Sequence, residues 1–175
     1  AVLTLFNDSE NGGFYFTGSD HEALISRPKS FSDDALPAGN GVAAYVLQRL
    51  GFLLGESRYL AAAERTIQVA WPVLLRYPQA HCAMLRALEE QLTPPQIVIL
   101  RGTQKQIEPW REQLAADYAP HQLVLAISSE ESDLPAALAS KPARPGSATA
   151  YVCRGSVCSE PVTTLEGLAS NLQPP

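Results

Sequence analysis

Two adjacent prolines, Pro94 and Pro95, divide this chain of 175 residues into segments with different hydrophobic patterns. The segment before them repeats apolar residues at helical spacing, as in VAAYVLQRLGFLL from position 42 onwards. The segment after them opens with QIVIL at 96–100, a continuous apolar run rich in β-branched residues, which is typical of a strand buried on both faces. The sequence therefore predicts a helical part followed by a small sheet.

The helical part predicts three helices. The first, over 41–54, has an apolar face that includes Val42, Val46 and Leu50, with Asn40 as its N-cap and Gly55 at its end. Capping and proline rules set the boundaries of the other two helices: Ser57 caps the second, Pro72 kinks or ends it, and Pro78 lies in the first turn of the third. Before the helices, AVLTLF at 1–6 is predicted as a strand.

The second part alternates strands and helices. The predicted strands are QIVIL at 96–100, QLVLAI at 122–127 and TAYVC at 149–153. The helix after the first strand carries Trp110 and Leu114, and the caps of the later two helices are Asp133 and a Thr163–Glu166 capping box. This alternation implies right-handed crossovers. The predicted fold is mixed α/β: helical hairpins, then a small, mainly parallel sheet of three or four strands flanked by helices.

Composition excludes several classes of protein. Hydrophobic residues make up 46% of the chain and charged residues 18%, which indicates a packed core rather than disorder. The net charge of -5 argues against nucleic-acid binding, and no apolar run reaches the roughly 20 residues of a membrane span. The chain starts at Ala1 and its sole methionine is Met84, from which we expect a piece of a longer protein. Three cysteines favour a reducing compartment, so we predict the cytoplasm.

Asp33 and Asp34 are the only candidates for catalytic carboxylates, although no reaction can be assigned to them. Two carboxyl groups can act as acid and base on a glycosidic bond when they lie on opposite sides of it. Neighbouring residues of an extended segment point apart, which favours capping or solvation in a loop instead. GNGVAA from Gly39 lacks the preceding strand of a dinucleotide site, and Gly102-Thr103 lacks the spacing of a phosphate loop. No cofactor is therefore predicted.

Cys153 and Cys158 flank RGSV, a predicted hairpin turn. Their spacing leaves three interpretations open: two structural thiols, a reversible bridge, or part of a metal site. The histidines that a metal site would need are scattered along the chain, so no metal is predicted, and we expect His81 to be a half-buried packing residue.

Five stretches in order resemble the C-terminal half of the thioredoxin-domain-containing, spermatogenesis-associated protein 20-like family. They are GGFYFTGSDHEALISRPK, DDALPAGNGVAA, YPQAH, QIVILRG and YVCRGSVCSEPVTT. The resemblance implies an N-terminal thioredoxin-like domain and a helical toroid similar to six-hairpin sugar enzymes such as N-acylglucosamine 2-epimerase. Under it, residues 1–92 are the last toroid hairpins and residues 93–175 form a small α/β subdomain.

One motif departs from the family. Where the family has P-S-G-N-S, this chain has PAGNG at 37–41, so two hydroxyl groups that could bind a ligand are missing. The spacing of Cys153 and Cys158 agrees with the family.

The resemblance implies as partners the missing thioredoxin-like domain and the rest of the toroid, with a sugar as a possible ligand. Charge and hydrophobicity, as argued above, exclude nucleic acid and membrane as partners. We therefore expect a non-catalytic portion of a protein related to carbohydrate metabolism, in which residues 20–40 line the toroid cavity. The alternative is a docking or regulatory module for the thioredoxin-like domain, with Cys153 and Cys158 as a redox-sensitive pair.

Overall fold

The structure is a computed structural model that describes residues 1–22 and 25–172. The chain divides into two compact units. The helical unit comprises Ala1–Phe52 and Glu56–Thr93, and the sheet unit comprises Leu53–Gly55 and Pro94–Pro175. None of the helices formed by the described residues has both the length and the hydrophobicity that crossing a membrane requires.

The N-terminal segment is not the predicted strand. Val2–Phe6 form one turn of π-helix, in which the N–H of Leu5 donates to the carbonyl of Ala1. A single antiparallel bridge pairs Asn7 with Phe14 across the turn that follows. The apolar residues of AVLTLF satisfied the strand pattern, but a strand needs a partner along its length, and here the pairing is confined to one residue.

Helix α1 spans Gly39–Leu54 and ends at Gly55, whose φ of 68° is readily adopted by glycine, as predicted. The prediction that Asn40 caps the helix is wrong, because the helix already includes Asn40. The predicted face is also wrong: Val42 and Val46 are more than 40% exposed, whereas the face that contains Gly51 is buried.

Close approach to the neighbouring helices explains which face of α1 is buried. A Cβ on Gly41 would lie 2.7 Å from the backbone of Ala83, and one on Gly51 would lie 2.5 Å from the side chain of Leu60. Helices pack closely where side chains are absent, so the gain in packing outweighs the greater hydrophobicity of the opposite face.

Helices α2 (Ser57–Arg76) and α3 (Cys82–Leu92) complete the helical unit. Glu56, not Ser57, is the N-cap of α2, and the helix continues through Pro72 to Arg76. Pro78 is the first residue of a short 3₁₀ turn, Pro78–Ala80, just before α3. The unit's core consists of Phe14, Ala44, Leu47, Ala63, Ile67, Ala70, Leu74, Met84 and Ala87.

Four strands form one sheet in the order β2-β1-β3-β4. Their ranges are β1 Gln96–Gly102, β2 Gln122–Ser128, β3 Thr149–Arg154 and β4 Val157–Cys158. The predicted α/β class and the parallel pairing of β1 with β2 are confirmed. The sheet is mixed rather than mainly parallel, because β3 runs antiparallel to β1.

The connection between β2 and β3 accounts for this difference. Ser128 and Thr149 both lie at the carboxyl end of β1, paired with Gly102 and Arg101 respectively. Residues 129–148 contain a single four-residue helix, α5 (Ala136–Ala139). That connection passes the carboxyl end of β1 and enters β3 there, so β3 runs antiparallel to β1. A parallel β3 would require the connection to return to the other end of the sheet first.

Helices α4 (Gln104–Ala115) and α6 (Leu165–Leu172) flank the sheet. Strand β1 is buried along its whole length, as predicted, and Trp110 and Leu114 of α4 pack in the core against it. Strand β2 is less buried than predicted because it is an edge strand, and Val124 and Ala126 on it are exposed.

The structure places two helix caps at residues other than those predicted. The N–H of Gly167 donates to Oγ1 of Thr164 at 3.1 Å, so Thr164 rather than Thr163 caps α6. Helix α5 begins at Ala136, three residues after Asp133. At α4, by contrast, Thr103 and Gln106 form a reciprocal capping box, so this turn satisfies its own N–H groups.

Candidate functional site

The carboxylate of Asp33 joins two helix starts of the helical unit. Its Oδ1 accepts the N–H of Ala38 at 2.7 Å, and its Oδ2 accepts the N–H of Ala83 at 2.8 Å. Ala83 is the second residue of α3, where a negative charge is favoured by the helix dipole. The N–H of Asp33 itself donates to the carbonyl of Ala80. Both oxygens of Asp33 are therefore engaged with the folded chain.

Asp34 does not join Asp33 in a carboxylate pair. Its side chain is exposed, and its N–H donates to the carbonyl of Leu36 at 3.1 Å. The structure thus gives the two candidate residues different environments: a half-buried carboxylate held by backbone donors, and an exposed one in a loop.

Asn40, predicted as a cap, is instead a buried link between three segments. Its Oδ1 accepts the N–H of Phe14 at 2.7 Å, and its Nδ2 donates to the carbonyls of Phe14 and Ser30, both at 2.9 Å. The side chain is only 3% exposed. Its amide therefore positions the loop that precedes α1.

An open, apolar pocket of about 260 Å³ lies beside the start of α1. Its walls include the rings of Phe6, Phe14, Tyr15 and Phe16, and Gly39 contributes backbone alone. Ligand pockets usually measure about 300–1,000 Å³, so this pocket is smaller than most. Asp33 and Asp34 do not line it.

Sequence reasoning missed a charged cluster around Asp8, which is 5% exposed. Asp8 accepts hydrogen bonds from Nζ of Lys29 at 2.6 Å, from the hydroxyl of Tyr15 at 2.8 Å and from the N–H of Asn11 at 2.9 Å. The hydrogen bond from Lys29, followed by that from Asn11, holds the pKa of Asp8 well below its usual range. The signal available in the sequence was the turn itself, DSEN, whose first aspartate can accept backbone N–H groups.

Tyr15 belongs to the same cluster. Its hydrogen bond to Asp8, followed by burial, raises the pKa of its phenol. The guanidinium of Arg27 lies 4.2 Å from the centre of its ring, a cation–π arrangement, and Nη2 of Arg27 donates to the carbonyl of Thr17 at 2.7 Å. The cluster therefore fastens the N-terminal loop to the segment around residues 27–29.

His81 is buried rather than half-buried. Its Nδ1 lies 2.8 Å from the carbonyl oxygen of Tyr77, which requires that this nitrogen carry the proton. This hydrogen bond and its burial fit a packing role. Within residues 1–22 and 25–172, the side chains of His, Cys, Asp and Glu form no group of three that could hold a metal ion.

Cys153 and Cys158 lie opposite each other on β3 and β4 and form a disulfide. Their Cα atoms are 3.9 Å apart. Gly155 in the turn between them has a φ of 58°, which favours glycine. Cys153 is buried and Cys158 is exposed, so an incoming thiol can reach the bridge at Cys158. Cys82 is an exposed free thiol.

Comparison with known proteins gives one informative similarity. The chain is 30% identical over 167 residues to spermatogenesis-associated protein 20 from Homo sapiens, an alignment that covers 91% of this chain and 21% of that protein. The chain thus spans about a fifth of the length of this curated relative. No family model and no solved structure matches it. The similarity to spermatogenesis-associated protein 20 along nearly the whole chain supports the family resemblance inferred from its motifs.

Proposed function

We propose that this chain is a non-catalytic, C-terminal portion of a longer protein of the family that it resembles. In this proposal the helical unit supplies the last hairpins of a helical toroid, and the sheet unit is an appended α/β subdomain. The similarity to a relative of which this chain covers 21% supports its being a portion of a longer protein.

The observation that carries the proposal is the hydrogen bonding of Asp33. A general acid or base must exchange a proton with the substrate, and a nucleophile must present a free oxygen to it. Both oxygens of Asp33 instead accept backbone N–H groups, at 2.7 and 2.8 Å. Asp34 is exposed in a loop and lacks the enclosed, water-excluding surroundings of a catalytic group.

The apolar pocket beside α1 supports a role of this portion in ligand binding. Ser30, Gly39 and Asn40, all within residues 20–40, contribute to its wall. We infer that this wall faces the toroid cavity and that other segments of the longer protein complete it around a sugar ligand. Aromatic rings such as Phe16, which is 81% exposed, offer a flat apolar surface for such a ligand.

Activity assays on the purified chain test the proposal. We expect no glycoside release and no sugar epimerisation above background. Asp33→Asn and Asp34→Asn provide a matched pair of isosteric variants. Turnover that exceeds background and disappears in either variant would contradict a non-catalytic role.

A second function, a redox-sensitive docking module for the thioredoxin-like domain, is favoured by the disulfide. A thiolate of an incoming dithiol attacks the exposed sulfur of Cys158, and the electron pair of the broken S–S bond leaves on Cys153. The second thiolate of the dithiol then displaces Cys158. The dithiol is oxidised to a disulfide, and Cys153 and Cys158 take up two electrons and two protons.

Thiol labelling of the folded chain tests this second function. After treatment with a thioredoxin-type dithiol and its removal, a maleimide should label Cys153 and Cys158 in addition to Cys82. Mild oxidant applied before the maleimide should re-form the bridge and leave only Cys82 to be labelled. Cys82→Ser controls for the free thiol. A bridge that stays closed under dithiol conditions that reduce an unconstrained peptide disulfide would exclude the redox role.

A further inference from the structure

The free edge of the sheet at β2 has the properties of a peptide-binding site. Strand β2 pairs only with β1, so one edge of its backbone has no partner strand among the described residues. The strand is seven residues long and reads QLVLAIS, with no charge and no proline. Charged residues and prolines normally protect the edge of a sheet from further pairing. Their absence from β2 leaves this edge open to another strand.

The hydrogen bonds of the sheet show which groups face the open edge. The N–H of Gln96 donates to the carbonyl of His121, and the N–H of Ser129 donates to that of Gly102. In a parallel pair, the main-chain N–H and C=O groups of every second residue bond to the neighbouring strand. The main-chain groups of the odd-numbered residues of β2 therefore face β1. The N–H and C=O groups of Val124 and Ala126 therefore point outward, away from β1.

A groove of about 530 Å³ runs beside this edge, between β2 and α4. Val124 and Ala126 form its floor, and Leu114 and Ala115 of α4 contribute to its inner wall. Both floor residues are exposed, since α4 does not cover them. A strand added at the edge would place alternate side chains in this groove, while its backbone pairs with Val124 and Ala126.

Charge at the rim of the groove indicates what kind of strand fits. Glu108, Arg111 and Glu112 of α4 line it. Nη1 of Arg111 lies 3.2 Å from Oε2 of Glu108, so these two charges pair with each other. Glu112 is exposed, and no described cation lies within ion-pair distance of it. The rim thus has an excess negative charge, which disfavours a second copy of the same acidic edge and favours a basic ligand.

We propose that the groove between α4 and β2 binds an extended peptide of a partner protein, which adds as a strand to β2. The peptide has small apolar side chains at alternate positions, directed into the groove, and a lysine or arginine that reaches Glu112. Main-chain hydrogen bonds to Val124 and Ala126 hold its backbone, and the groove and Glu112 select its sequence.

Calorimetric titration of the full chain tests this proposal. The probe is a capped peptide of about nine residues, long enough to pair with all of β2, that alternates threonine with valine and ends in two lysines. We expect saturable binding with one peptide per chain. The same peptide with N-methyl groups on all its threonines and valines cannot donate main-chain hydrogen bonds to β2, so its affinity should be at least about tenfold lower.

Variants of the chain locate the binding site. Val124→Pro removes an outward N–H that β1 does not use, so the strand should remain folded while affinity falls at least about tenfold. Glu112→Lys should weaken binding, whereas Glu160→Lys, which makes the same charge change after β4, should not. Circular dichroism verifies the fold of each variant. If Val124→Pro does not fold, the N-methylated peptide and Glu112→Lys still decide the question.

Three results would overturn the proposal. The first is no binding of the probe by the folded chain, and the second is equal affinity for the probe and its N-methylated form. The third is a dimer in sedimentation analysis that Val124→Pro abolishes, which would assign the edge to a second copy of the chain.

Discussion

At the scale of single residues, Asp8 and Asp33 show how carboxylates organise the loops of the helical unit. Asp33 bridges the segment before α1 and the start of α3. Asp8 joins its own turn to Tyr15 and Lys29. N–H and O–H donors of the protein take the place of water around each carboxylate. Hydrogen bonds to a charged acceptor are stronger than those between neutral groups. Loops with little regular structure are thereby fixed against the helices.

The lowered pKa of Asp8 predicts a loss of stability in acid. Its pKa in the unfolded chain is near the ordinary value of about 3.9, and in the fold it is lower. Ionised Asp8 therefore stabilises the fold at pH values above about 4, and this contribution is lost as the pH falls from there towards the folded pKa. Urea denaturation between pH 6 and pH 2 measures the effect.

Asp8→Asn is the control for this prediction. The amide cannot titrate, so the free energy of unfolding of the variant should depend less on pH below about 4 than that of the native chain. Identical pH profiles of the two proteins would show that Asp8 does not contribute through its charge.

At the scale of elements, α1 shows what hydrophobic periodicity can and cannot predict. The pattern identified the helix, and Gly55 marked its end. The pattern did not identify the buried face, because Gly41 and Gly51 allow the neighbouring helices to approach α1 closely on that face. The same limit applies to β2, whose apolar run predicted burial on both faces but lies at an edge. Burial depends on neighbours, which local sequence does not specify.

Alanine substitution of two nearby glycines tests the close approach at α1. Gly41→Ala would bring a Cβ to 2.7 Å from the backbone of Ala83, so we expect a loss of about 1–3 kcal/mol in the free energy of unfolding. Gly39→Ala has no atom within 4 Å of the added Cβ and should change stability by about 0.5 kcal/mol or less. Chemical denaturation measures both. Equal effects would mean that α1 and α3 are not in close contact at Gly41.

At the scale of the whole molecule, the sequence predicted the class of fold better than the site. The change of pattern at Pro94 and Pro95 predicted a helical part followed by an α/β part, and β1, β2 and β3 lie in one sheet as expected. The direction of β3 depends on the path of a loop, which has no periodic signal. The roles of Asp33 and Asn40 depend on groups up to 50 residues away in sequence, so spacing alone could not reveal them.

The central claim, that Asp33 is a structural bridge rather than a catalytic group, is tested most directly by the free energies of unfolding of Asp33→Asn and Asp34→Asn. In Asp33→Asn, one of the two backbone N–H groups faces an amide donor, so we predict a loss of about 1–3 kcal/mol. Asp34→Asn, on an exposed side chain, should change stability by about 0.5 kcal/mol or less. Equal stability of both variants and the native chain, in urea denaturation at neutral pH, would contradict the account.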